Sequence, residues 1–217
     1  MQGTSDTVEF TAFHNAPAFA HGLVRDIRVR WACEEIELPY KTRLLDTFAE
    51  RPPGYLREQP FGQIPSFRDG PLDLFETGAI LLHIGEKDER LLPREDAARA
   101  RAVSWLFAAL NSVEPALMNL VTIDIFASGQ QWAQLGRPHA EEFARRRLRG
   151  VSQWLGQQEW LEGRFTLADL MMISVLRNVR HTTLVSEFGN LAEYQARGEE
   201  RPAFARALAA QSADFAR

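Results

Sequence analysis

The chain has 217 residues, 45% of them hydrophobic and 25% charged, the usage of a globular protein with room for one large domain or two small ones. Its formal net charge of -4 gives no electrostatic reason to bind nucleic acid. A single cysteine, Cys33, excludes an internal disulfide framework, and the five histidines, His14, His21, His83, His139 and His181, lack the paired spacing of a metal site.

Met1–Asp6 carries neither the basic nor the apolar region of a signal peptide, and no uninterrupted apolar run approaches the ~18 residues of a membrane span, so a cytoplasmic protein without membrane contact is expected. Val8–Phe13 alternates as a first strand. A helix is expected over Leu23–Ile36, with two apolar stripes on opposite sides: Val24, Ile27 and Trp31 on one, Val29, Ala32, Cys33 and Ile36 on the other. Such a helix needs a sheet on one face and a second domain on the other. Arg25, Asp26, Arg28, Arg30, Glu34 and Glu35 fall at the seams, and Asp26 and Arg30 stand at i,i+4, the spacing of an ion pair. Cys33, mid-helix on an apolar stripe, lacks the surroundings of a reactive thiol.

Leu38–Leu45 reads as a second strand. Further on, Asp69-Gly70 is a two-residue hairpin signal that pairs Ser66–Arg68 with Leu72–Phe75. The bond before Pro65 is of the one kind for which the cis form is cheap, and the residue ahead of a proline is pushed toward extended backbone. Ile64 therefore presents its N–H and C=O sideways at the end of a sheet, where an extended peptide can add itself. Glu76-Thr77 opens an apolar helix through Ala79–Leu82; its free amides and the Thr77 hydroxyl favour a carboxylate, and Glu76 suits an ammonium group. A ligand with an amino-acid head at one end and peptide backbone in its middle fits both. Glutathione is such a molecule.

This small α/β segment ends near Gly85, and Leu91–Arg94 reads as a linker. A long helix kinked at Pro115 is expected over Ala97–Ala127, with Phe107 in the core. Helices are expected at His139–Gln157, Leu167–Arg180, Leu184–Ala196 and Pro202–Arg217, the last with Pro202 in its first turn. Thr166 followed by Asp169 is a capping box with a folding role.

Gly62-Gln63-Ile64-Pro65, followed by Phe75-Glu76-Thr77-Gly78-Ala79-Ile80, resembles the glutathione-binding half of the cytosolic glutathione transferases, and Phe165-Thr166-Leu167-Ala168-Asp169-Leu170 resembles an element of their helical domain. The resemblance implies an α/β plus all-α chain: a thioredoxin-like domain over residues 1–88, then an all-helical domain, a helical bundle, over 94–217. It implies that Ile64 holds the cysteinyl backbone of glutathione, that Pro65 is the cis-proline, that Glu76 and Thr77 bind the γ-glutamyl head, and that Gln63 assists. It also implies a homodimer and an acceptor pocket between the domains, to which Phe19, Trp105 and Asn111 are assigned.

The chemistry implied is conjugation of the glutathione thiolate, as co-substrate, to a small apolar electrophile. The alternatives are a non-catalytic glutathione-binding or scaffold protein of the same fold, or a glutathione-dependent isomerase, lyase or dehalogenase. At the position where family members carry a Tyr, Ser or Cys that bonds the sulfur, this chain has Leu23 and Val24, which cannot donate. The loop Phe13–Gly22 is longer than usual, so the candidates for that task are His14, Asn15 and the main-chain amides after Gly22. Arg25 is expected to pair with a nearby Glu.

Overall fold

The computed structural model describes residues 7–216; Met1–Asp6, the segment read above as lacking a leader, and Arg217 lie outside them. Four strands, β1 (Val8–His14), β2 (Tyr40–Asp46), β3 (Ser66–Asp69) and β4 (Leu72–Phe75), form one sheet in the order β2-β1-β3-β4. β1 runs parallel to β2 and antiparallel to β3, and β3 and β4 form the hairpin turned at Gly70 (φ 58°). Three helices belong with these strands: α1 (Asp26–Glu35), the single turn α2 (Tyr55–Glu58) and α3 (Thr77–Gly85). This is the thioredoxin-like order that the sequence implied. The short helix α2, which follows Gly54 at φ 87°, was not foreseen.

The remaining helices are α4 (Asp96–Ala108), α5 (Glu114–Val121), α6 (Gln131–Leu155), α7 (Leu167–Leu176), α8 (Gly189–Glu199) and α9 (Pro202–Phe215). The long helix expected over 97–127 is present as an unbroken run. It contains two looser π-type turns, Ala109–Val113 and Thr122–Phe126. The first ends immediately before α5, where Pro115 can give no N–H and needs room on the preceding turn; Glu114 N–H reaches back to Ala109 C=O instead. In the second, the Thr122 hydroxyl bonds Met118 C=O at 2.9 Å. The run is long and apolar enough to cross a membrane by composition alone, but half of its most apolar window is buried in the protein, as in a core helix. Phe107, expected in the core, is instead 47% exposed.

α6 starts earlier than read from the sequence, because Pro138 lies inside the helix rather than opening it. α8 starts later than Leu184. There the Thr182 hydroxyl takes the Leu184 amide and the Ser186 hydroxyl bonds Thr183 C=O, local bonds that compete with a helix. Every residue of α7 is buried, and α4, α5 and α8 pack on it. Its start is the expected capping box, with Asp169 accepting from Thr166 N–H at 2.9 Å and from the Thr166 hydroxyl at 3.2 Å.

The chain divides into two compact units. One runs as far as Leu92 and resumes at Arg201; the other is Pro93–Glu200. The last helix, read in the sequence as part of the helical domain, packs against α1 of the first unit. This supplies the second cover that the two stripes of α1 require. Trp31 meets Phe204 edge-on at 4.8 Å, and Asp26–Cys33 is buried on all sides, charged residues included. Arg28 and Arg30 are therefore interior, not at seams. Leu91 and Leu92, read as linker, are fully buried.

Candidate functional site

The Ile64–Pro65 bond is cis, as expected. Ile64 is 6% exposed, and its side chain packs with Leu45 and Tyr55, against which Phe13 and Val24 also lie. The end of β1, the approach to α1 and the segment before β3 thus meet at one place.

The main chain around Ile64 is held by side chains. Buried Gln59 accepts the amides of Phe61 (2.7 Å) and Gln63 (3.1 Å) on its Oε1. Arg51 Nε donates to Gly62 C=O at 2.9 Å, and the Tyr55 hydroxyl donates to Gln63 C=O at 2.6 Å. Beyond the proline, Ser66 N–H donates to Thr11 Oγ1 at 2.7 Å, and the same oxygen lies 2.9 Å from the Tyr55 hydroxyl. Among the described residues none bonds the N–H or C=O of Ile64 itself. A donor and acceptor left over in a segment where the neighbours are bonded make a place for an extended peptide.

Replacing Tyr55 by phenylalanine removes the link between Thr11 and Gln63. The expected cost is about 1–2 kcal/mol of stability, read from the denaturant midpoint, together with weaker glutathione binding by calorimetry. An unchanged affinity would show that Ile64 does not need this brace.

The second part of the site is the start of α3. Glu76 is its N-cap residue with φ 69° and ψ 117°, a conformation side chains seldom adopt, and its carboxylate does not cap the helix. Held so, Glu76 is exposed and leaves the first-turn amides to another acceptor. Thr77 is 5% exposed and accepts from Arg28 NH1 at 3.4 Å. Arg28, itself 2% exposed, brings a buried guanidinium beneath the positive end of the helix dipole. The sequence offered no signal for this role, since Arg28 is one of several charged residues in the helix. Gln63 is exposed and receives Arg25 Nη1 at 3.4 Å.

At the end of β1, His14 Nε2 lies 3.9 Å and Asn15 Nδ2 3.4 Å from the same Asp46 oxygen. Asn15 has φ 55°, and His14 Nδ1 is buried with no partner among the described residues. The amides of Phe48 and Ala49, the first cause, and the neighbouring Asn15 and His14 side chains hold the Asp46 carboxyl below its ordinary value. The other proposed donors fare differently. Gly22 N–H is taken by Gln211 Oε1 at 2.9 Å, and the amides of Leu23 and Val24 both donate to Ala20 C=O. These amides already have acceptors, on α9 for Gly22 and within the loop for Leu23 and Val24. Cys33 is fully buried and burial pushes its thiol far up, as its place in the helix implied. Phe19 is half exposed, Trp105 stacks with Trp154 at 5.3 Å, and Asn111 is exposed on the first π-type turn.

A strand order of thioredoxin type, an unpaired main chain before a cis-proline and an uncapped helix start make a domain with a place for an extended peptide. The family model "Glutathione S-transferase, N-terminal domain" matches residues 11–86. Glutathione S-transferase F9 of Arabidopsis thaliana is 32% identical over 54% of this chain and 58% of its own length. The disulfide-bond oxidoreductase YfcG of Escherichia coli K12 is 37% identical over 39% of this chain and 43% of its own. The chain thus spans about half the length of these curated relatives. Over nearly the whole chain it superposes on the crystal structure of a glutathione transferase family member from Pseudomonas fluorescens pf-5 with two glutathione bound: TM-score 0.82, 26% identity, 93% of this chain and 92% of that one. Residues 11–86 thus match the glutathione S-transferase N-terminal domain, and the chain as a whole has the fold of a solved glutathione transferase family member.

Proposed function

We propose that this protein is a glutathione transferase, joining the glutathione thiolate to a small apolar electrophile. The observation that carries the reading is the pair of unbonded main-chain groups on Ile64, set beside a helix start whose amides lack a side-chain cap. In this reading the cysteinyl backbone of glutathione bonds Ile64 before Pro65. Its γ-glutamyl carboxylate takes the α3 amides and the Thr77 hydroxyl, its ammonium group meets Glu76, and Gln63 assists. Binding there brings the sulfur to the end of β1, where His14 and Asn15 are the groups able to donate a hydrogen bond to a thiolate. Phe19, Trp105 and Asn111 are proposed for the acceptor side. A cytoplasmic homodimer, with no nucleic-acid or membrane partner, completes the proposal.

A second reading, glutathione-dependent disulfide exchange, is supported by the likeness to the disulfide-bond oxidoreductase and by the tie of both candidate donors to Asp46. With Cys33 buried, any such exchange would run on glutathione thiols alone.

The test is ultraviolet titration of bound glutathione, followed by turnover against a panel of electrophiles and disulfides. The thiol of bound glutathione should ionise well below its value in solution, and replacing His14 or Asn15 should raise it. Ionisation as in free solution removes the mechanism. Thr77→Val should weaken glutathione binding roughly tenfold, the loss of one hydrogen bond to a charged group. If calorimetry finds the affinity of Thr77→Val unchanged, the γ-glutamyl head binds elsewhere.

A further inference from the structure

The loop between β1 and α1, which begins at the candidate thiolate donors, His14 at the end of β1 and Asn15 after it, is fastened at its far end by the last helix of the chain. Gln211, on α9, is 0% exposed. Its Oε1 accepts Gly22 N–H at 2.9 Å, while its Nε2 donates to Val24 C=O at 3.1 Å and to Asp26 Oδ1 at 2.8 Å. One amide orientation alone satisfies all three bonds, because an N–H needs the oxygen and a carbonyl needs the nitrogen. Asp26 is fixed in turn by Arg30 Nε at 2.7 Å, and Arg30 NH2 returns to Asp214, one helical turn beyond Gln211, at 2.6 Å. β2 joins through the Thr42 hydroxyl, 3.0 Å from Asp214. Gly22 has φ 73°, a backbone conformation natural to glycine, and its amide points at the glutamine.

From this geometry we infer that Gln211 is a positioning residue for the glutathione sulfur: by clamping Gly22 and Val24 it sets where the β1–α1 loop lies, and so where His14 and Asn15 stand. The inference rests on the glutathione reading given above. Val24 supports it by packing against the Ile64 cluster, so the clamp and the peptide-binding segment share a wall. Gln211 touches neither the proposed ligand segment nor the candidate donors and acts through the loop.

The experiment compares Gln211→Met, of similar length but without hydrogen-bonding groups, with Phe204→Leu, which loosens α9 against Trp31 without touching the clamp. Unfolding midpoints, glutathione affinity and the ultraviolet titration of bound glutathione are measured on both. The methionine variant should bind glutathione with a roughly tenfold smaller thiolate fraction at neutral pH and faster exchange of the Gly22 amide. Phe204→Leu, with a matched loss of stability, should leave the thiolate fraction unchanged. Should Gln211→Met not fold, Gln211→Glu retains the Gly22 bond, sets a carboxylate against Val24 C=O and Asp26, and should lower the thiolate fraction in the same way.

Normal glutathione binding with an unaltered thiolate fraction in the Gln211 variant overturns the positioning role and leaves the glutathione reading intact. Equal losses in both variants reduce Gln211 to a stability residue. No glutathione binding by the wild-type protein overturns the underlying reading, and the positioning role with it.

Discussion

Replacing Arg30 by methionine should destabilise the protein by about 3–5 kcal/mol at neutral pH, because it leaves two interior carboxylates without their cation. Arg30 is 1% exposed and bridges Asp26 (0%) and Asp214 (7%). Even with Arg30 present, burial pushes the Asp26 carboxyl up to about 6, against the ion pair and the hydrogen bond from Gln211. An unfolded aspartate ionises near 3.8, so between that value and about 6 the unfolded chain has lost a proton that the folded chain keeps. The stability that Asp26 contributes is therefore complete below the lower value and is lost as pH rises through the upper one. Wild type should lose stability relative to Asp26→Asn across that window, by on the order of 3 kcal/mol. Without the guanidinium the demand for protonation grows, so the Arg30→Met penalty should be smaller at pH 4.5 than at pH 7.5. Denaturant midpoints at the two pH values decide the matter. A penalty that does not change with pH would mean the carboxylates find other partners or water.

Asp169→Ala should cost as much, about 3–5 kcal/mol, well beyond the ~1 kcal/mol of an ordinary helix cap. The carboxylate is wholly buried and accepts from four donors: the amides of Leu161 (2.9 Å) and Thr166 (2.9 Å), and the hydroxyls of Thr166 (3.2 Å) and Tyr194 (3.0 Å). Truncation strands all four inside the helical unit. Burial outweighs these donors and pushes the carboxyl up to about 6, so its contribution declines with rising pH in the same direction as that of Asp26. Tyr194→Phe removes one donor and leaves the cap, and should cost about 1 kcal/mol. If urea unfolding shows Asp169→Ala and Tyr194→Phe to be equally mild, the four bonds are not a stability centre.

The parts of this site legible in the sequence are those with short-range causes. A proline fixes its own φ and biases the residue before it, Asp-Gly makes a tight turn, and a Thr three residues before an Asp makes a helix start. Each was read from adjacent letters and is present at Ile64-Pro65, Gly70 and Thr166-Asp169. Tyr55, Gln59 and Arg51 were missed because their function is a bond to main-chain oxygen or nitrogen in a loop, for which no spacing rule exists. Arg28 and Arg30 were read as seam residues, since nothing local says that Arg28 will meet Thr77 on α3 or that α9, more than 160 positions on, will cover Arg30. The i,i+4 pairing of Asp26 with Arg30 was legible, whereas its burial was not. Pro138 misled because a proline within the first turns of a helix looks the same in sequence as one that opens it.

Because α1 is covered by α9, the first unit is split in sequence by the whole of 93–200. During synthesis the sheet and its first three helices leave the ribosome with Arg30 and Trp31 still bare, and the interior on that side closes only once residues 202–215 have emerged. A fragment cut at Leu92 would carry every group assigned to hold glutathione and yet lack the wall behind α1.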